Sequence, residues 1–169
     1  MDDDTKLRQL IGAGIMYVSI HPRSEKEIVA YIRKRNNKLH GSEEIVSAAL
    51  TRLKELGYID DEIYTKRFIE SRNRSRPKGK KLIQLELLRK GVSRDIIDSV
   101  DREMGESEGP TDIELARGVA QKKYSLWKKL PIPEQKKKLF GFLQRRGFSS
   151  TVVFRVIDEL TGIRYNEDT

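Results

Sequence analysis

The chain has 169 residues, of which 34 are Lys or Arg and 26 are Asp or Glu, giving a formal net charge of +8, and it contains no cysteine. Without cysteine there are no disulfides, no thiolate metal centres and no thiol catalysis, which suits a reducing cytoplasm. Charged residues at 36% nearly equal the apolar 37%, a balance that predicts an elongated, all-helical protein with much surface per residue; the positive charge points to a polyanionic partner, or to one that itself carries a polyanion.

The start, MDDDTKLRQL, is too acidic for a secretory leader. The longest apolar run, Leu10 to Ile20, is too short to span a bilayer. The expectation is a cytoplasmic protein with no membrane contact, and the acidic first residues and the C-terminal RYNEDT are candidates for disorder. Apolar residues recur at helical spacing along the whole chain, and alternating strand patterns are absent. The pattern predicts helices over 4–18, 24–35, 42–56, 60–74, 79–90, 93–104, 111–128, 133–146 and 149–161.

The ends of these helices are written locally. Ser24 with Glu27 and Thr111 with Glu114 have the spacing of capping boxes, and Asp60, Ser93 and Ser149 are N-cap residues. Gly57, Gly91 and Gly147 each follow a Leu-rich helix and precede an apolar residue, Tyr58, Val92 or Phe148, the signature of a left-handed helix stop. Pro22, Pro77, Pro110, Pro131 and Pro133 all fall between periodic segments.

Setting Gly91 under Gly147 exposes an internal repeat. Leu87 then matches Leu143, Arg89 and Lys90 match Arg145 and Arg146, Ser93 matches Ser149, and Ile96 and Ile97 match Val152 and Val153. The first helices follow more loosely through Ile28, Ile32, Ile45 and Val46. The fold expected is a tandem repeat of three three-helix modules, at 1–58, 59–108 and 109–169.

Sites for small ligands find little support. Gly12 and Gly14 lack the third glycine and the preceding strand of a dinucleotide loop, and Gly79-Lys80-Lys81 lacks the rest of a phosphate loop. The two glycines of the first helix are better suited to close helix approach or fraying. His21 and His40 sit in loop-like segments without a carboxylate constellation, and Asp60-Asp61-Glu62 reads as the acidic first turn of a helix. No catalytic residue, metal site or cofactor is expected, and no enzymatic activity.

Charge is more informative. From Lys66 to Lys90 there are ten Lys or Arg against two Glu, and from Lys122 to Arg146 nine against one, with six acids and one Arg over 101–114 between them. A charge run is most often a solvated helix face, but recurrence at matching places of two repeats favours a basic track for a phosphate backbone or an acidic protein groove. The contact residues expected are Arg67, Arg72, Arg74, Arg76, Lys78, Lys80 and Lys81 in the middle module, with Lys122, Lys123, Lys128, Lys129, Lys136, Lys137, Lys138, Arg145 and Arg146 in the last. Most aromatics fall at core spacing; Trp127, followed by Lys128 and Lys129, is the exception. LLRKGVSRDIIDSV also has the outline of a helix-turn-helix, but the same joint at Gly147 argues for a structural corner.

The string LKELGYIDDEIYTKRFIESR, followed by PKGKKLIQLELLRKGVS and then FLQRRGFSSTVVFRVIDEL, resembles the RecX family of bacterial regulators of the RecA recombinase. The resemblance covers about residues 24 to 161 and is most specific at Leu-Gly-Tyr-Ile-Asp-Asp, Arg72, Gly79, Glu86-Leu87 and Lys90-Gly91. Two departures are a Thr at Thr65, where the family more often carries Ala, and a short polar loop from Asn36 to Gly41. What the resemblance implies is a monomer lying in the groove of the RecA filament on single-stranded DNA and restraining its ATPase, strand exchange and coprotease activities. The alternative that the residues leave open is a stand-alone protein binding single-stranded or duplex DNA through the same basic faces.

Overall fold

The computed structural model describes residues 1–105 and 109–162; Glu106 and Glu108 of the acidic joint and the tail RYNEDT lie outside them. Every element among the described residues is a helix: α1 (Asp3–Ile20), α2 (Glu25–Leu39), α3 (Glu43–Glu55), α4 (Asp61–Ser75), α5 (Lys80–Arg89), α6 (Arg94–Gly105), α7 (Asp112–Trp127), α8 (Ile132–Arg145) and α9 (Ser150–Thr161). The all-α repeat read from the periodicity is present.

The acidic start is an ordered first turn. Asp2 caps α1 by accepting from the Thr5 amide at 2.7 Å, with Asp3 and Asp4 in the turn that follows, where the positive end of the helix dipole favours acids. The helix α2 runs past Asn36 and Asn37 to Leu39, further than its polar end suggests. Asn36 is buried and donates its side-chain amide to the carbonyls of Gly41 and Ser42 at 2.9 and 3.2 Å, so it ties down the loop that follows.

Both capping boxes form, and Asp60, Ser93 and Ser149 accept from the amides of Ile63, Ile96 and Val152. The three glycine corners are alike. Gly57, Gly91 and Gly147 have φ of 75°, 88° and 80°, and the next amide, of Tyr58, Val92 or Phe148, donates back to Leu53, Leu87 or Leu143. This is the Schellman closure that the sequence pattern predicts.

The chain divides into two compact units whose boundaries fall inside α4, α5 and α6: Met1–Phe68 with Leu87–Glu103, and Ile69–Glu86 with the described residues from Met104 onward. In the first unit α1 packs on α2 and α3 around Leu10, Ile28, Ile32, Val46, Ala49 and Leu53. Gly14 admits Leu53 against the α1 backbone, where a Cβ would overlap its side chain, whereas Gly12 faces open space. The rings of Tyr17 and Tyr31 stack at 4.1 Å, and the Arg23 guanidinium lies 4.5 Å from the centroid of Tyr17.

The start of α2 is clamped onto the α5–α6 corner within this unit. Ser24, fully buried, donates its hydroxyl to the Lys90 carbonyl at 2.7 Å, Lys90 reaches Glu27 at 2.7 Å, and the Lys26 side chain lies against Gly91. Asp61 accepts from the Glu25 amide at 2.8 Å. Burial pushes the Asp61 carboxyl above its ordinary range against the pull of that amide.

In the second unit α7, α8 and α9 enclose Ala116, Ala120, Leu139, Leu143, Val153 and Ile157. Here the start of α5 repeats the same docking on the α8–α9 corner. The Gly79 amide donates to the Arg146 carbonyl at 2.8 Å, the Arg146 guanidinium donates to the Pro77 carbonyl at 3.1 Å, and Leu82 lies against Gly147. Gly79 is needed for close approach: a Cβ there would land on the carbonyl of Gly147. SRNRSRPKGKK is therefore the end of α4, a Pro-Gly joint seated on a neighbouring helix corner, and the start of α5.

Candidate nucleic-acid interface

The structure sorts the basic residues by what their charges already do. Arg72 and Lys78 both bind Glu86, the former at 2.9 Å. Burial would raise the Glu86 carboxyl, but the ammonium of Lys78 and the guanidinium of Arg72 outweigh it and hold the group below its ordinary value. Arg146 is occupied by Pro77 and lies 4.9 Å from the ring of Phe142. These three cations hold unit two together internally.

Arg67, Arg74, Arg76, Lys81, Lys122, Lys123, Lys128, Lys129, Lys137, Lys138 and Arg145 are exposed; Lys80, also exposed, and Lys136, half-buried, each already make an interaction within the protein. Arg67 belongs to the first unit, where with Arg23, Asp60 and Tyr58 it lines a small cleft of about 100 Å³. The others lie on the second unit, and two clefts gather part of them.

The first cleft, about 370 Å³, lies among Arg74, Lys122, Lys123, Arg146 and Phe142, with Gly118 in its lining. Lys123 sits 5.9 Å from the ring centroid of Phe142, so this ring has two cations within cation–π reach. Among the described residues the one carboxylate in its lining is Glu114, held below its ordinary range by the amide and hydroxyl of Thr111 as part of the capping box.

The second cleft, about 610 Å³, is formed by Trp127 at the end of α7 and by Glu134, Lys137, Lys138, Gly141 and Arg145 of α8. Trp127 meets Phe142 edge-on, at 6.3 Å and 81°. Lys128, Lys129 and Lys81 line neither cleft. Phe142 falls at core spacing in the sequence and does pack against the core of α7, α8 and α9, whereas periodicity gave no sign of Gly141, because a lone glycine inside a helix reads as filler. Glu86 left a trace in the sequence, as one of two acids among ten cations.

Among the described residues no group of three or more His, Asp or Glu is placed to hold a metal ion, and no helix is long and apolar enough to cross a membrane. Fold and surface together define a class: a helical-repeat protein with cation-lined clefts on its third set of helices. Two family descriptions match the chain, "RecX, second three-helix domain" over residues 60–100 and "RecX, third three-helix domain" over 111–157. A curated "Regulatory protein RecX" of Chlorobium phaeobacteroides is 31% identical over 157 residues, spanning 93% of this chain and 97% of the relative. One of Streptococcus agalactiae serotype V is 30% identical over 148 residues, and the chain spans about half, 54%, of its length.

Two crystal structures share the fold. RecX from Lactobacillus salivarius superposes with a TM-score of 0.77 over 95% of this chain and 99% of that one, at 23% identity. A second regulatory protein RecX gives 0.70 over 91% and 73%, at 25% identity. The chain belongs to the RecX family of regulatory proteins.

Proposed function

We propose that the protein modulates the RecA recombinase, binding its filament on single-stranded DNA and suppressing ATPase, strand exchange and coprotease activities without a catalytic step of its own. Membership of the RecX family carries this reading. The exposed cations of the second unit support it, since a filament wrapped on DNA presents phosphates and acidic protein surface to such a face. Three modules at 1–58, 59–108 and 109–169 are the repeat units we assign to it, working as a monomer in the cytoplasm.

The test is the single-stranded-DNA-dependent ATPase of the cognate RecA, titrated with this protein from far below one molecule per RecA to equimolar. Suppression at substoichiometric amounts is expected; an unchanged rate at equimolar folded protein would sink the reading. The site is tested by Arg74→Glu, Arg76→Glu and Lys81→Glu together, which leave the Glu86 pairs intact and should weaken suppression at unchanged helicity. Full suppression by that variant would remove these residues from the interface. A second reading, binding to DNA without RecA, is favoured by one observation, the aromatic ring in the cleft of α8.

A further inference from the structure

Trp127 is the only tryptophan in the chain, and the structure holds it as a platform. Its ring is braced from the side by Phe142. The turn after it is closed by the Leu130 amide donating to the Trp127 carbonyl at 2.9 Å, and the buried Gln135 donates to the carbonyls of Lys128 and Leu130 at 3.3 and 2.7 Å. The connection from α7 to α8 is thereby fixed, and the exposed part of the ring with it.

The wall opposite is equally specific. Lys137, Gly141 and Arg145 succeed one another at four-residue steps and share one stripe of α8. Gly141 opens the wall: counting back from the glycine corners, it stands where α5 carries Leu85. A Cβ at Gly141 would come within 3.1 Å of an Arg145 guanidinium nitrogen, so the missing side chain lets Arg145 fold along the helix. Among the described residues Lys137 and Arg145 form no ion pair, and the Lys138 ammonium lies over the Trp127 ring, 5.8 Å from its centroid, near the outer limit of about 6 Å for a cation–π contact. Its ammonium is free to turn to a phosphate.

We propose that this cleft is a base-stacking site for single-stranded nucleic acid. One unpaired base lies on Trp127, and the flanking phosphates are held by Lys137, Lys138 and Arg145. The inference rests on the reading that the protein works at a DNA strand, and it states where that strand is touched. The volume of 610 Å³ falls within the roughly 300–1,000 Å³ of ligand clefts. A duplex keeps its base faces covered, so only an unstacked strand can use the ring. Three cations against Glu134 give the cleft a net positive charge, complementary to the backbone of that strand.

The protein alone is titrated with oligothymidylate about eight nucleotides long, within the span of single-strand sites, and the fluorescence of Trp127 is read beside the anisotropy of a labelled strand. Saturable quenching that tracks the anisotropy is expected, with log affinity falling against log salt at a slope of about −2 for three phosphate contacts. Trp127→Ala should weaken binding roughly five- to hundred-fold and Trp127→Phe much less. Exposed Lys137→Ala and Arg145→Ala, which leave the ring in place, should each flatten the salt slope by about 0.7.

The proposal is overturned if the strand does not bind, or binds without quenching. It is also overturned if an abasic strand binds as tightly, which would make the contact one of charge alone, or if polyglutamate quenches equally, which would make the occupant an acidic protein segment. RecA is absent from this experiment, so the two readings fail separately. A silent cleft with suppressed RecA ATPase removes only the stacking site, and an occupied cleft with unaffected RecA removes only the filament reading.

Discussion

Replacing Gly79 by Ala tests whether the start of α5 is held on the α8–α9 corner by backbone contact. A Cβ at this position would overlap the carbonyl of Gly147 and come within 2.5 Å of the Phe148 amide nitrogen. A backbone overlap has no rotamer to relieve it, so α5 must move. Overpacking of this kind costs about 1–3 kcal/mol. With it go the Gly79 amide bond to the Arg146 carbonyl and the Arg146 bond to the Pro77 carbonyl, each worth about 0.5–1.5 kcal/mol net. The worked loss is about 2–6 kcal/mol.

Urea unfolding followed by circular dichroism measures that loss, and native-state hydrogen exchange locates it, because the amides of Gly79, Gly147 and Phe148 should lose protection first. Gly12→Ala is the control. It lies inside α1 with open space around it, and alanine there should stabilise the helix by about 0.5–1 kcal/mol. If Gly79→Ala stays within about 0.5 kcal/mol of the parent, a shift usual for surface positions away from special features, and the corner amides stay protected, the close-approach argument is wrong.

Other substitutions probe the remaining joints. Ser24→Ala removes the cap of α2 and leaves the Lys90 carbonyl without its hydroxyl donor; a loss of about 1–2 kcal/mol is expected in thermal or urea unfolding. Glu86 is held below its ordinary value of 4.5 in the folded protein. Its stabilising contribution is therefore complete above that value and is lost as the pH falls through the lowered folded value. Urea midpoints taken from about pH 6 to pH 3 should fall less steeply for Glu86→Gln than for the parent. Arg146→Ala should cost about 1–3 kcal/mol through the Pro77 and Phe142 contacts, whereas the exposed neighbour substitution Arg145→Ala should stay within about 0.5 kcal/mol in the same melts.

Helix positions and caps were legible in the sequence because each is decided within a few residues. Ser24 and Glu27, Thr111 and Glu114, and the three glycine corners carry their partners in their own turn. The end of α2 was not, because Asn36 gains its helical place from a loop it binds afterwards. The charged surface was half legible. Clusters of Lys and Arg can be counted, but the partners that occupy them lie far along the chain: Glu86 is 14 residues from Arg72, and Pro77 is 69 from Arg146. Gly141 and Trp127 form a cleft only once α7 and α8 are packed.

That division bears on what a repeated charge means. In both units the helix start that docks on a glycine corner meets the cation just before the glycine: Lys90 reaches Glu27 beside Ser24, and Arg146 reaches Pro77 beside Gly79. The residue before that, Arg89 or Arg145, is exposed in each case. The second cation of the Arg-Lys or Arg-Arg pair is a latch of the repeat, and its recurrence follows from architecture. Basic residues that bind a partner are better sought where the modules differ. There the third module sets Gly141 against Leu85 of the second and brings a tryptophan to the gap, so the position that breaks the repeat is the one that creates a site.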